Sequence, residues 1–574
     1  MATKPVSARV QDLIHSMDVG LGQQVVKGLL YALFVLVVMF LFTGTQFHGL
    51  DNPEAMDAAQ LGRNLATQGS FQTQVVRPSS LRLLMDRLDT ADPPIWEHPD
   101  LMQPPVYPMY LALLFRLLQP DFEPEAAGLR IYGPDKFVVW GGGHLFTALT
   151  GLVLFLLGNR LFDRRIGVLG ATVYFLSNTV WTTSISGTSL PMAGFFVSSA
   201  ILTLLWAADR HEKNDSKATW IGLVVFSALL TLLAGLTRYG AFALAPGLAL
   251  YILFAFRRGW QWSAVYLLVI LIGVAPWMMR NQAASRTLLG LAPRAVVENS
   301  RNYPGDSFHR TLVPAEEPAD KLARVLHAKS LGNLRSFYQN ELRTMGDGFF
   351  ISLFLATFLY RFVRRHVHLL RWGLALSILL TLYGASFFGR QSIGLLHLYW
   401  PIVILYGLAF FFILLDRLQL PLAIYRQAIT VLLVFFSTVP LILAFTPPRR
   451  GFPYPPYAAQ MIINVSRLLE PEELMSSDIP WATAWYGNRT SLLLPRDVEE
   501  FYHIHDNMER ISALYFTTET RNQPYVRGLR TGRDKDWFQI MEGRMMADFP
   551  LTHGFPIFNF DQMFLTDRDR RVQP

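Results

Sequence analysis

The sequence predicts an α-helical polytopic membrane protein with a small α/β soluble domain at its C-terminal end. Of its 574 residues, 51% are hydrophobic and only 16% are charged, more apolar side chain than one soluble core uses. The excess is gathered in blocks that, with their flanks, approach the ~20 residues needed to cross a hydrocarbon core of ~30 Å. Beyond residue 447 the blocks stop, charge returns and the apolar runs shrink to strand length.

Taken in order, the first block covers 29–42, LLYALFVLVVMFLF. Lys4, Arg9 and Lys27 precede it and no small-residue cleavage pattern follows Phe42, so it reads as a retained anchor. Further spans are expected at 138–157, 166–185, 192–207, 220–236, 239–254, 263–277, 349–362, 372–388, 393–415 and 429–445, about eleven in all by the window rule. The chain then divides into a cytoplasmic N-terminus (1–28), a transmembrane domain (29–446, with outer loops 46–137 and 280–347) and an outer domain (447–574).

Orientation follows from the short loops. Arg160, Arg164, Arg165, Arg210, Lys213, Arg257, Arg258, Arg364, Arg365, Arg417 and Arg426 fall on one side, which makes that side cytoplasmic. An odd span count puts the tail opposite the N-terminus, periplasmic if the membrane is a bacterial inner membrane. Topology accounts for the net charge of +8, so nucleic acid is not an expected partner; membrane lipids are. The chain has no cysteine, which excludes disulfides and thiol chemistry.

The tail opens with a proline-aromatic linker, Phe452-Pro453-Tyr454-Pro455-Pro456-Tyr457. Short strands are expected at 475–477, 490–494 and 511–517, with helical pieces at 481–486 and 498–505, the alternation of a small α/β layer.

The first outer loop carries the densest chemistry. Leu50-Asp51-Asn52-Pro53-Glu54-Ala55-Met56-Asp57 joins an Asx N-cap, a proline at the first helical position and an acid in the first turn. Asp57 lies one turn beyond Glu54 on the same face. The helix should run to Gly69 and lie on the membrane surface. Three acids on one such element suit a cation, the proton of an acceptor hydroxyl, or simple solvation.

A second segment, Met102-Gln103-Pro104-Pro105-Val106-Tyr107-Pro108, sets a rigid bend before the apolar stretch 109–118. Arginines at outer membrane boundaries form the third part: Arg238 after Gly235-Leu236-Thr237, Arg280 after Pro276-Trp277-Met278-Met279, and Arg390 in a tight turn. Positive charge is depleted from outer loops, and guanidinium there suits a phosphate or pyrophosphate held by paired hydrogen bonds. His397, in Leu396-His397-Leu398-Tyr399-Trp400, is a candidate to join them.

In order, Gly62-Arg63-Asn64, the Pro-Pro-x-Tyr-Pro segment, Gly158-Asn159-Arg160-Leu161-Phe162, Gly235-Leu236-Thr237-Arg238 and Pro276-Trp277-Met278-Met279-Arg280-Asn281 fall at helix boundaries over about the first half of the chain. This order resembles the GT-C glycosyltransferases of the protein O-mannosyltransferase and lipid A aminoarabinose transferase type. The resemblance implies a transferase using a polyprenyl-phosphate-linked sugar on the outer side of the membrane. A first-loop acid, Asp51, Glu54 or Asp57, would act on the acceptor nucleophile. Arg63, Arg238, Arg280, Arg390 and His397 would hold the donor phosphate, with Gln103, Pro104, Pro105 and Tyr107 forming a substrate loop. The family's adjacent acid pair is not present, and where a second acid is expected the chain reads Gly187-Thr188-Ser189-Leu190-Pro191.

That chemistry is in-line displacement at the anomeric carbon with inversion, the phosphate leaving under arginine and a carboxylate taking the hydroxyl proton. No ligand spacing demands a metal, so no cofactor is required, although a divalent cation bridging carboxylate and phosphate fits the chemistry. The acceptor, whether glycan, lipid or protein, is not encoded legibly. The alternative is a non-catalytic scaffold or lipid-linked sugar carrier, which the missing second acid favours and the absence of an evident half-to-half repeat disfavours.

Overall fold

The computed structural model describes residues 21–123, 131–313, 319–342, 349–446, 458–522, 535–557 and 562–570. Lys4, Arg9 and the linker at 452–457 lie outside the described residues, as does the side chain of Arg390. Among the described residues, eight helices are long and apolar enough to cross a membrane, and three shorter apolar helices, Val106–Leu118, Tyr239–Ala255 and Phe349–Leu359, accompany them. The block expected at 166–185 is instead two helices, Arg164–Phe175 and Asn178–Ile185. They part at Leu176-Ser177, where Trp181 Nε1 donates to the Phe175 carbonyl and closes the corner.

Burial sorts the spans into inner and outer. Gly133–Leu161, Leu190–Glu212 and Gly394–Arg417 are mostly buried, whereas Gly22–Gln46, Gly259–Ser285 and Ala423–Ala444 present most of their apolar surface outward, as helices facing lipid do. Gly133–Leu161 contains a π-helical stretch, Val138–His144. There a Cβ on Gly143 would sit 1.8 Å from the Ser184 carbonyl oxygen, so only glycine permits this crossing.

The tail folds as an α/β layer, with strands β2 (Leu474–Ser477), β3 (Ser491–Leu493) and β4 (Ile511–Phe516) and helices Pro480–Gly487 and Val498–Asn507 close to the expected positions. Two elements were not foreseen. An antiparallel pair, β5 (His553–Ile557) and β6 (Gln562–Thr566), extends one side. On the other edge the first outer loop contributes β1 (Val75–Val76), parallel to β3 with Val75 opposite Ser491. The sheet order is β1-β3-β2-β4-β6-β5, so loop and tail share one sheet and lie on the same side of the helices. β3 and β4 are added on opposite sides of β2, so the strand order reverses between β2 and β4, the switch point where α/β sheets commonly bind ligands. Here Asp478 fills it, accepting from the amides and hydroxyls of Thr517 and Thr520.

Candidate functional site

The first-loop helix spans Pro53–Thr67, with Asn52 as N-cap accepting from the Glu54 amide at 2.9 Å and Pro53 in its first turn. Its residues Ala55 to Asn64 are buried, between Val106–Leu118 and the tail helix Pro480–Gly487. This corrects the expectation of a helix lying on the membrane surface: polar side chains on its far face are covered by the folded tail.

Glu54 emerges from the first turn and meets Arg238, the residue that ends Lys217–Thr237 in extended conformation. The pair is bidentate, with Arg238 Nη1 to Glu54 Oε1 at 2.5 Å and Nη2 to Oε2 at 2.9 Å. Ser189 donates to Glu54 Oε1 at 3.0 Å and lies 3.2 Å from Arg238 Nη1. The pair is open to solvent, with 32% of the Glu54 and 21% of the Arg238 side chain exposed.

Asp57, one turn on, is enclosed. Arg77 Nη2 donates to it at 2.7 Å, Gln60 Nε2 at 3.1 Å and Gln103 Nε2 at 3.2 Å, and only 3% of its side chain is exposed. Beside it lies Asp100, whose Oδ2 accepts from the amides of Met102 and Gln103. Its Oδ1 is buried with no partner among the described residues. Burial, with the Asp57 carboxylate next to it, pushes Asp100 up to about 6. Arg280 reaches this wall from the apolar helices, donating to the Asp100 carbonyl at 2.5 Å and to Phe71 O at 3.3 Å while its guanidinium stacks 5.0 Å from the Trp277 ring.

The remaining candidates disperse. Asp51 is exposed and has no ion-pair partner among the described residues. Arg63 is buried and committed elsewhere: it donates to the carbonyls of Trp485 at 2.9 Å and Ala484 at 2.7 Å and to Gln74 Oε1 at 2.6 Å, and lies 5.5 Å over the Trp485 ring. These three bonds tie the first-loop helix to the tail helix. His397 lines a cavity of about 50 Å³ with Thr150, Thr183, Leu190 and Trp400. In the proline segment, Gln103 joins Asp57, half-buried Pro104 leads into Pro105, which caps Val106–Leu118, and buried Tyr107 donates to the Gly187 carbonyl at 2.7 Å.

Three participants were not singled out from sequence as site residues: Arg77, Asp100 and Ser189. Arg77 precedes a helix-starting proline and Asp100 lies three residues before Gln103, so loop position was their only signal. Ser189 occupies the stretch where a second acid was sought. No group of three His, Asp or Glu able to hold a metal occurs among the described residues.

No protein-family profile matches the sequence, and no curated protein matches it. Solved structures do. The oligosaccharyltransferase AglB of Archaeoglobus fulgidus, in complex with an inhibitory peptide and a dolichol-phosphate, superposes with TM-score 0.55 at 12% identity, over 95% of this chain and 75% of that one. The same organism's oligosaccharyltransferase with Zn and sulfate gives 0.55 at 14% identity, over 85% and 68%. ArnT from Cupriavidus metallidurans bound to undecaprenyl phosphate gives 0.52 at 13% identity, over 97% of this chain and 100% of that chain. At such identities the likeness shows the fold alone, a fold this chain shares with these membrane proteins.

Proposed function

We propose that this chain is a membrane glycosyltransferase that moves a sugar from a polyprenyl-phosphate donor to an acceptor hydroxyl on the outer face of the membrane. The observation that carries the reading is the half-open Glu54–Arg238 pair, set where the first-loop helix meets the apolar helices. The neighbours seen with dolichol-phosphate and undecaprenyl phosphate support the donor class.

The pair suggests how binding and chemistry are linked. A donor phosphate competes for the Arg238 guanidinium, whose planar fork matches phosphate as well as carboxylate. Once Arg238 turns to the phosphate, Glu54 is released to accept the proton of the acceptor hydroxyl. The acceptor oxygen bonds to the anomeric carbon, the bond from that carbon to phosphate oxygen breaks, and its electrons leave on the polyprenyl phosphate under Arg238. Configuration inverts. Among the three acids this reading favours Glu54 as the base, because Asp57 is enclosed by three donors and Asp51 has no ion-pair partner among the described residues.

The test is single replacement of Asp51, Glu54 and Asp57 by the amide, in proteoliposomes carrying an undecaprenyl-phosphate sugar and envelope extract as acceptor source. Glu54→Gln is expected to lower sugar transfer by roughly 10²–10⁴-fold. Full transfer by all three variants would refute the enzyme described here, and donor binding without turnover in the parent protein would favour the scaffold.

A further inference from the structure

Asp135, at the start of Gly133–Leu161, carries a fully enclosed carboxylate that the proposed chemistry does not use. Asp135 is 0% exposed. Three donors converge on it: Trp485 Nε1 at 2.7 Å, Tyr486 Oη at 3.1 Å and the Leu50 amide at 3.2 Å. Tyr486 Oη also lies 3.0 Å from the Leu50 carbonyl oxygen. The peptide groups on both sides of Leu50 are thus pinned, and Leu50 is the residue from which the chain turns into Asp51, the Asn52 cap and Glu54. Gly49 completes the turn at φ +119, and a Cβ there would sit 3.4 Å from Asp135 Oδ2.

The same short tail helix takes a second grip. Trp485 and Ala484 offer their carbonyls to Arg63, on the third turn of the first-loop helix. Residues 484–486 therefore fix that helix both before its first residue and near its far end. A rigid element held at two points has a fixed axial position, and that position decides whether Glu54 reaches Arg238 with both oxygens.

We propose that Asp135, Trp485 and Tyr486 are positioning residues, through which the tail domain sets the register of the first-loop helix and so assembles the Glu54–Arg238 site. The inference rests on the reading of that pair as the donor-phosphate site. It makes the tail part of the site's construction rather than a separable docking module. Asp135 offers oxygen lone pairs to the Trp485 and Leu50 N–H groups, and the single Tyr486 hydroxyl proton is shared between Asp135 and the Leu50 carbonyl.

The test uses the full chain in nanodiscs, with Tyr486→Phe, Trp485→Phe, Asp135→Asn and Asp135→Ala. Two readouts are taken: amide hydrogen exchange, and affinity for undecaprenyl phosphate as the probe. Tyr486→Phe and Trp485→Phe are expected to speed exchange over residues 50–64 at least tenfold, leave β4 unchanged, and weaken lipid-phosphate binding about as much as Arg238→Ala. Asp135→Asn keeps one acceptor oxygen and should recover part of the binding that Asp135→Ala loses. Unchanged exchange over 50–64 in both aromatic variants would overturn the proposal, as would faster exchange there with binding intact. If Arg238→Ala itself binds the probe normally, the site reading fails, while exchange over 50–64 still reports on the Asp135 contacts alone.

Discussion

Glu54 and Asp57 sit one turn apart on one helix, each paired with an arginine, yet the two pairs are built for different ends. The Asp57–Arg77 pair is buried and fully bonded, with Gln60 and Gln103 taking the remaining carboxylate positions. The Glu54–Arg238 pair is partly exposed and, among the described residues, has Ser189 as its further hydrogen-bond partner. Two charges taken out of water hold each other because no solvent competes for either, and separating them is costly. A pair at the solvent edge holds weakly and exchanges partners readily. Sequence spacing alone makes the two acids equivalent; the enclosure supplied by Gln103 and the tail distinguishes them.

The comparison breaks most visibly if one partner of each pair is removed. Asp57→Ala leaves Arg77 buried without its main counter-charge and should cost roughly 3–5 kcal/mol of stability, read as a large fall in melting temperature. Glu54→Gln should shift stability by no more than ~1 kcal/mol, while sugar transfer falls by roughly 10²–10⁴-fold, the usual worth of a general base. Equal melting temperatures for the two variants would erase the distinction.

A smaller effect sharpens it. Asp100 is held up to about 6, against 3.8 for an unperturbed carboxyl, so the folded protein keeps this proton to higher pH than the unfolded chain. Its contribution to stability is fully present below about pH 4 and is lost as pH rises through about 6. Asp100→Asn, neutral throughout, should be more stable than the parent at pH 8 by about 1–3 kcal/mol, with the gap closing toward pH 4. A gap that widens as pH falls would contradict the assignment. The smallest effect is expected from Arg238→Lys, which keeps charge but loses the fork, and should weaken undecaprenyl phosphate binding by about tenfold, ~1.4 kcal/mol.

What could be read in advance was local. Asn52-Pro53-Glu54 announced its helix start because capping depends on neighbours, and β2, β3 and β4 stood out as apolar runs between turn signals. The order of motifs was enough to indicate the architecture. The partners of Arg63 were not legible, because they are carbonyls of Ala484 and Trp485, far along the chain, which no spacing rule reaches. The edge strand β1 has two residues and gives no periodicity. Asp100 and Arg77 looked like ordinary loop charges until folding set them beside Asp57. The break of 166–185 at Leu176-Ser177 was marked only by the short polar run Ser177-Asn178-Thr179, which a hydropathy window averages away.

The account turns on Arg238 exchanging Glu54 for a lipid-linked phosphate. The direct measurement is a density map of the purified chain with undecaprenyl phosphate: the expected result places the phosphate on the Arg238 guanidinium with Glu54 released from it. A phosphate bound elsewhere, with the Glu54–Arg238 pair still closed, would contradict it.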